Sequence, residues 1–118
     1  MGDEAGRRDI EVGWIAIDAR DPRALAAWWS ELLGGEASVD ADGDVRLETG
    51  GLCLLFLGVP EPKTVKNRVH LDLRVLDYDA AQAKAIAAGA TPADDIYRGE
   101  RWRVLRDPEG NEFCIIRP

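Results

Sequence analysis

The only histidine of the chain, His70, stands in the stretch Val69-His70-Leu71-Asp72-Leu73-Arg74-Val75. A two-residue alternation of this kind is the period of a strand. It puts His70, Asp72 and Arg74 on one face and Leu71, Leu73 and Val75 on the other. Imidazole titrates near neutrality, and a carboxylate two residues along the same face can orient or poise it. That pairing suits a general base or a donor to a bound ligand. It is equally compatible with a histidine bonded to Asp72 or to backbone and performing no chemistry. Glu112 and Cys114 repeat the two-residue spacing near the end of the chain, and His70 and Glu112 are the candidate catalytic residues. No serine or cysteine nucleophile motif accompanies them, and no glycine-rich phosphate loop is present.

The elements that must carry these residues come in two similar series. In the first, Trp14-Ile15-Ala16-Ile17-Asp18 alternates as a strand, with Trp14, Ala16 and Asp18 on one face. Asp21-Pro22 then supplies an N-cap and a proline at the first helical position. Leu25, Trp28 and Leu32 mark the buried face of a helix that Gly34-Gly35 stops. Strands are expected at Glu36–Val39, Val45–Glu48 and Leu52–Leu57, with a hairpin turn at Asp42-Gly43. After a connector at Val59–Asn67 the series repeats. The histidine strand leads to Asp77 and an alanine-rich helix expected to bury Ala83, Ile86, Ala87 and Ala90. Strands follow at Thr91–Tyr97, Arg101–Arg106 and Glu112–Ile116, the last two joined by the turn Asp107-Pro108-Glu109-Gly110-Asn111. Trp14 lies seven residues before Asp21 and His70 seven before Asp77, so the two series share one register. The expected architecture is α+β, with module one at 10–59 and module two at 68–118. A ferredoxin-like arrangement is the alternative from pattern alone.

Composition limits the partners. The chain has 118 residues, 46% of them hydrophobic, which suits one core in one domain. Its formal net charge of −7 would repel a phosphate backbone, so nucleic acid is not expected as a partner. No stretch approaches membrane-spanning length, and no membrane partner is expected. Residues 1–9 are polar and mixed in charge and read as a frayed, disordered leader without the apolar stretch of a secretory signal. Cys53 and Cys114 lie in apolar runs and read as reduced thiols of a cytoplasmic protein.

The stretches Trp14–Gly34, Arg68–Asp77 and Asp107–Ile115 resemble the vicinal oxygen chelate superfamily, which includes glyoxalase I, extradiol dioxygenases, fosfomycin-resistance and bleomycin-binding proteins. The most specific piece is Asp107-Pro108-Glu109-Gly110-Asn111-Glu112-Phe113-Cys114. The resemblance implies two tandem β-α-β-β-β modules forming a curved mixed sheet around a cleft. It also implies four metal-ligand points, on the first and last strand of each module. Here these points are Trp14, Leu54 or Leu55, His70 and Cys114. Indole and leucine offer no lone pair, and a thiol suits an oxygen-chelating site poorly. No metal and no other cofactor is therefore expected. A shifted site of His70, Glu112 and Asp72 is the alternative.

The implied cleft would be lined by Trp14, Asp18, His70, Asp72, Trp102 and Cys114 as ligand-binding residues, with Glu112 beside them. Trp14, His70, Asp72, Glu112 and Cys114 are expected to converge on one cavity, while Leu71, Leu73, Phe113 and Ile115 lie under the helices. These features imply a small-molecule-binding protein that holds or sequesters an aromatic or cationic ligand without metal. The alternative is a metal-dependent lyase, isomerase or dioxygenase with a rearranged site. A homodimer is expected as well, joined through an exposed Trp29 or the Leu52–Val59 edge.

Overall fold

The structure is a computed structural model that describes residues 8–97 and 99–118. Residues 1–7 of the expected leader lie outside the described part; Arg8 and Asp9 are exposed. The element order is β1 (Ile15–Ala19), α1 (Pro22–Leu33), β2 (Glu36–Val39), β3 (Val45–Thr49), β4 (Leu52–Gly58), β5 (Asp72–Arg74), α2 (Tyr78–Ala88), β6 (Thr91–Pro92), β7 (Trp102–Arg106) and β8 (Glu112–Ile116). The strands form two four-stranded sheets ordered β1-β4-β3-β2 and β5-β8-β7-β6. Each sheet sets the first strand of its module parallel to the last, Ile15 opposite Leu54 in one and Asp72 opposite Cys114 in the other. The shared order is the tandem α+β arrangement expected from the register of the two caps.

Local sequence explains the helix limits. Asp21 accepts a hydrogen bond from the Ala24 amide at 3.1 Å, and Asp77 one from Ala80 at 3.0 Å, so both helices begin on an aspartate cap. Gly34 and Gly35 have φ of 78° and 102°, which end α1. At Gly35 a Cβ would also collide with the Glu48 carbonyl, so glycine brings the helix exit close against β3.

The core lies between the helices and one face of each sheet. Leu25, Trp28 and Trp29 of α1 pack with Val45, Leu47, Leu54 and Phe56 of the first sheet, and with Leu105, Phe113 and Ile115 of the second. Leu71 and Leu73 pack against this core half-buried, on the helix side of the sheet. The two tryptophans and Phe113 meet edge to face, Trp29 at 5.0 Å and Trp28 at 5.8 Å from the phenylalanine centroid. One helix thereby packs both modules into a single core.

Several expectations are corrected. Trp29 is 2% exposed, not the exposed contact expected, because its ring packs against Phe113 and bonds Asp107 at the junction between modules. Strand β4 lies between β1 and β3 and is not an edge, since β1 adds parallel beside it. Trp29 is thus enclosed, and β4 offers no free strand edge. In α2 the buried residues are Tyr78 and Ala85, while Ala83, Ile86 and Ala87 are exposed. Six alanines in eleven residues give that helix no apolar phase to read. The histidine strand is paired only from Asp72 to Arg74, and the strand expected at Thr91–Tyr97 is reduced to Thr91–Pro92.

Candidate functional site

Beyond Pro92 the chain turns across the face of the second sheet that points away from the helices. Ala93 and Ile96 pack there on Val104 and Cys114, forming a small second core. This crossing creates a cavity of about 450 Å³ lined by Lys66, His70, Asp72, Ile96, Tyr97, Trp102, Val104, Glu112, Cys114 and Ile116. Its volume is within the range of small-molecule sites. Tyr97 and Trp102 stack with centroids 4.6 Å apart and planes 17° apart, and both line the cavity.

The polar part of the wall comes from β5 and β8. Their parallel register puts Asp72 directly beside Cys114, and His70 lies two residues upstream. His70 Nδ1 and Asp72 Oδ1 are 2.9 Å apart, with both side chains solvent-accessible. Burial pushes the Cys114 thiol up to about 11, aided by the neighbouring Asp72 carboxylate, so sulfur is protonated at neutral pH.

Glu112 is nearly enclosed. Burial alone would raise its pKa, but hydrogen bonds from the Asn67 amide, Lys63 and Arg106 outweigh that cost and pull it down to about 2. The three donors lie at 2.9, 3.1 and 3.2 Å. A carboxylate so engaged is a weak base, and it anchors the connector to the sheet. Arg106 also holds Asp95 through two bonds of 3.0 and 2.9 Å, which fastens the crossing segment to β7.

A second cavity, of about 480 Å³, lies between the modules. Asp18 lines it together with Lys63, Asn67, Glu109 and Asn111, and His70 and Glu112 border both spaces. Five of the residues expected at the site thus share the first cavity: His70, Asp72, Trp102, Glu112 and Cys114. Trp14 does not join them, contrary to the expected convergence. It is about half exposed on the first sheet's side, with the Arg46 guanidinium 5.0 Å from its ring centroid. Tyr97, Ile96 and Lys66 had no motif to announce them, because the loops that carry them are placed only by tertiary packing.

The metal set of the superfamily can be tested against these positions. Leu54 is fully buried in the core, and Trp14 lines neither cavity that His70 lines. Neither family metal point of module one therefore offers His70 a donor, and the superfamily's oxygen-chelated ion does not fit. The expected alternative trio is also changed. The clustered ligand atoms belong to His70, Asp72 and Cys114, whereas Glu112 is held by its own cationic partners.

Comparison with known proteins agrees with this architecture. Structures similar to this one include the fosfomycin resistance protein FosX of Listeria monocytogenes with manganese(II) and sulfate, with a TM-score of 0.73 and 13% identity over 90% of this chain and 88% of that one. Another is a glyoxalase/bleomycin resistance protein/dioxygenase family enzyme of Burkholderia phytofirmans, with a TM-score of 0.71 and 25% identity over 90% and 97%. In sequence, CFP32 of Mycobacterium tuberculosis, a glyoxylase by name, is 43% identical over 63 residues. That match covers 50% of this chain and only 24% of the mycobacterial protein. The family model of the glyoxalase-like domain matches residues 14–116. With that match across nearly its whole described length, and the paired module topology beneath it, the chain belongs to the glyoxalase-like domain family.

Proposed function

We propose that the protein binds a small planar aromatic molecule in the cavity on the second sheet, holding it through side chains rather than through the superfamily's metal ion. The observation that carries this reading is the stacked Tyr97–Trp102 pair, which gives the cavity an extended aromatic wall beside a floor of Val104, Ile116 and Cys114. Planar ligands gain from offset stacking on such a wall, and a few polar groups suffice to orient them. His70 and Asp72 are those groups, offering an imidazole edge and a carboxylate.

Charge narrows the choice between aromatic and cationic ligands. Glu112 is neutralised by Lys63 and Arg106, and Lys66 offsets Asp72 at the cavity. The negative charge of the chain is therefore not concentrated in this pocket, and flat apolar shape is the stronger selector.

The test is a thermal-shift screen of metal-free protein against planar aromatic compounds, neutral and cationic, with Trp102→Ala as control. Binding to the native state raises the midpoint of unfolding. A stabilising compound whose effect disappears in Trp102→Ala supports the reading. Hits that act equally on the variant, or stabilisation only by non-aromatic compounds, overturn it.

A further inference from the structure

Strand pairing of the segment that crosses the second sheet stops at Pro92, and its last backbone bond to the sheet runs from the Ala93 amide to the Val104 carbonyl at 3.0 Å. The Ile96 amide turns back onto the Ala93 carbonyl, also at 3.0 Å. Among the described residues no bond between backbone groups holds Asp95 or Tyr97. The stack of Tyr97 on Trp102 therefore depends on side chains, and each of the two residues is 37% exposed.

One contact fixes the chain just before Tyr97. Arg106 donates from Nη1 and Nη2 to the two oxygens of Asp95 at 3.0 and 2.9 Å, the fork of a guanidinium on a carboxylate. An exposed ion pair commonly contributes little, because two mobile side chains must be ordered to make it. Here one partner is ordered beforehand. Nε of Arg106 donates to Glu112 at 3.2 Å, and the Glu112 side chain is 3% exposed and held by Lys63 and the Asn67 amide. The guanidinium is thus a fixed fork on which Asp95, 62% exposed, closes. Neither Asp95 nor Arg106 lines the cavity, so neither meets a ligand directly.

We infer that Asp95 and Arg106 are positioning residues of the pocket: their ion pair holds Tyr97 on Trp102, so that even an uncharged aromatic ligand binds less tightly as ionic strength rises. The effect on a ligand rests on the pocket proposed above; the effect on the two rings does not.

The direction follows from two steps. Salt screens an exposed pair and loosens the segment that carries Tyr97. The fraction of molecules with an assembled aromatic wall then falls, and apparent affinity falls with it. An uncharged ligand has no charge of its own for salt to screen, so its salt dependence reports the protein's ion pair.

The experiment reads the rings and the ligand separately. In the full chain labelled with 5-fluorotryptophan, the fluorine resonance of Trp102 is assigned by its loss in Trp102→Phe. Raising sodium chloride from about 0.01 M to about 1 M contracts the Debye length from about 30 Å to about 3 Å. The Trp102 resonance should then move toward its position in Tyr97→Ala, while those of the buried Trp28 and Trp29 stay in place. In Asp95→Asn it should lie near the Tyr97→Ala position already at low salt and respond no further. Arg106→Lys keeps a cation for Glu112 but not the fork, and should behave likewise. Asp79→Asn, an equal change of charge in the first turn of α2, should behave as the parent.

Prodan, an uncharged planar naphthalene whose emission shifts in apolar surroundings, is then titrated into the same proteins. Its affinity for the parent should fall about twofold to fivefold over this salt range, and in Asp95→Asn it should be low and independent of salt. A Trp102 resonance that ignores salt in the parent, or responds equally in Asp95→Asn, overturns the positioning role. If the rings respond and prodan binds equally at every salt concentration, the effect on the ligand is overturned alone. If the rings respond and prodan does not bind, the pocket reading fails and takes the ligand effect with it, while the positioning of Tyr97 stands.

Discussion

The indole Nε1 of Trp29 donates to Asp107 Oδ2 across 2.9 Å, joining the helix of module one to the closing turn of module two. Asp107 also accepts the backbone amides of Glu109 and Asn111, each at 2.9 Å. Beside it, Glu109 accepts the amides of Arg20 and Asp21 at 2.7 and 2.9 Å, at the entrance to α1. The Asp107–Asn111 turn is therefore a clasp between modules as well as a hairpin. It holds Phe113 and β8 in the position from which Cys114 and Glu112 reach the cavity.

Trp29→Phe keeps most of the ring packing but removes this bond. Equilibrium urea unfolding should show a loss of about 1–2 kcal/mol, the cost of a buried hydrogen bond left half made. Asp107→Ala removes the turn bonds as well and should cost more, about 2–4 kcal/mol. Equal stability of Trp29→Phe and the parent would mean that the clasp contributes nothing.

Glu112 makes stability depend on acid. Its folded pKa of about 2 lies below the ordinary 4.5, so the unfolded chain takes up the proton first as pH falls. The stabilisation is present above about pH 4.5 and is lost progressively toward pH 2, amounting to about 3 kcal/mol in total. Glu112→Gln should flatten this part of the stability profile. It should also be less stable at neutral pH by about 2–3 kcal/mol, because Lys63 and Arg106 lose their shared partner. An unchanged acid limb in the variant would contradict the assignment.

Core position can be separated from helix pattern by two substitutions. Phe113→Ala should cost about 3–5 kcal/mol, since the ring meets both α1 tryptophans. Ile86→Ala should change stability by about 0.5 kcal/mol or less, since Ile86 is 43% exposed. Leu73 is only half-buried, so Leu73→Ala should fall between them at about 1–3 kcal/mol. Thermal and chemical unfolding read all three, and a severe Ile86 effect would mean that α2 is rotated from the face described.

His70→Ala and Trp102→Ala should both leave the fold intact, with stability changes within about 1 kcal/mol, because both side chains are accessible to solvent. Each should weaken a ligand found by screening of the metal-free protein. If His70→Ala unfolded the domain while Phe113→Ala were harmless, the two faces of the second sheet would be exchanged, and the site would go with them.

Much of the fold could be read in one dimension because its causes are local. Caps at Asp21 and Asp77, glycines at 34 and 35, and the alternation of Val69–Val75 act over a few residues. They gave two modules, the helix limits and the face on which His70 and Asp72 stand. Proximity across the sheets was another matter. That β4 is interior, that Trp29 is buried against Asp107, and that Trp14 is set apart from His70 all follow from how β1, α1 and β8 meet. The register that sets Asp72 beside Cys114, and the crossing of 93–97 that brings Tyr97 onto Trp102, are likewise contacts between segments distant or irregular in the chain. Periodicity gives a side chain its face. Only packing decides its neighbours, because the energy that selects them belongs to surfaces buried together rather than to either segment alone.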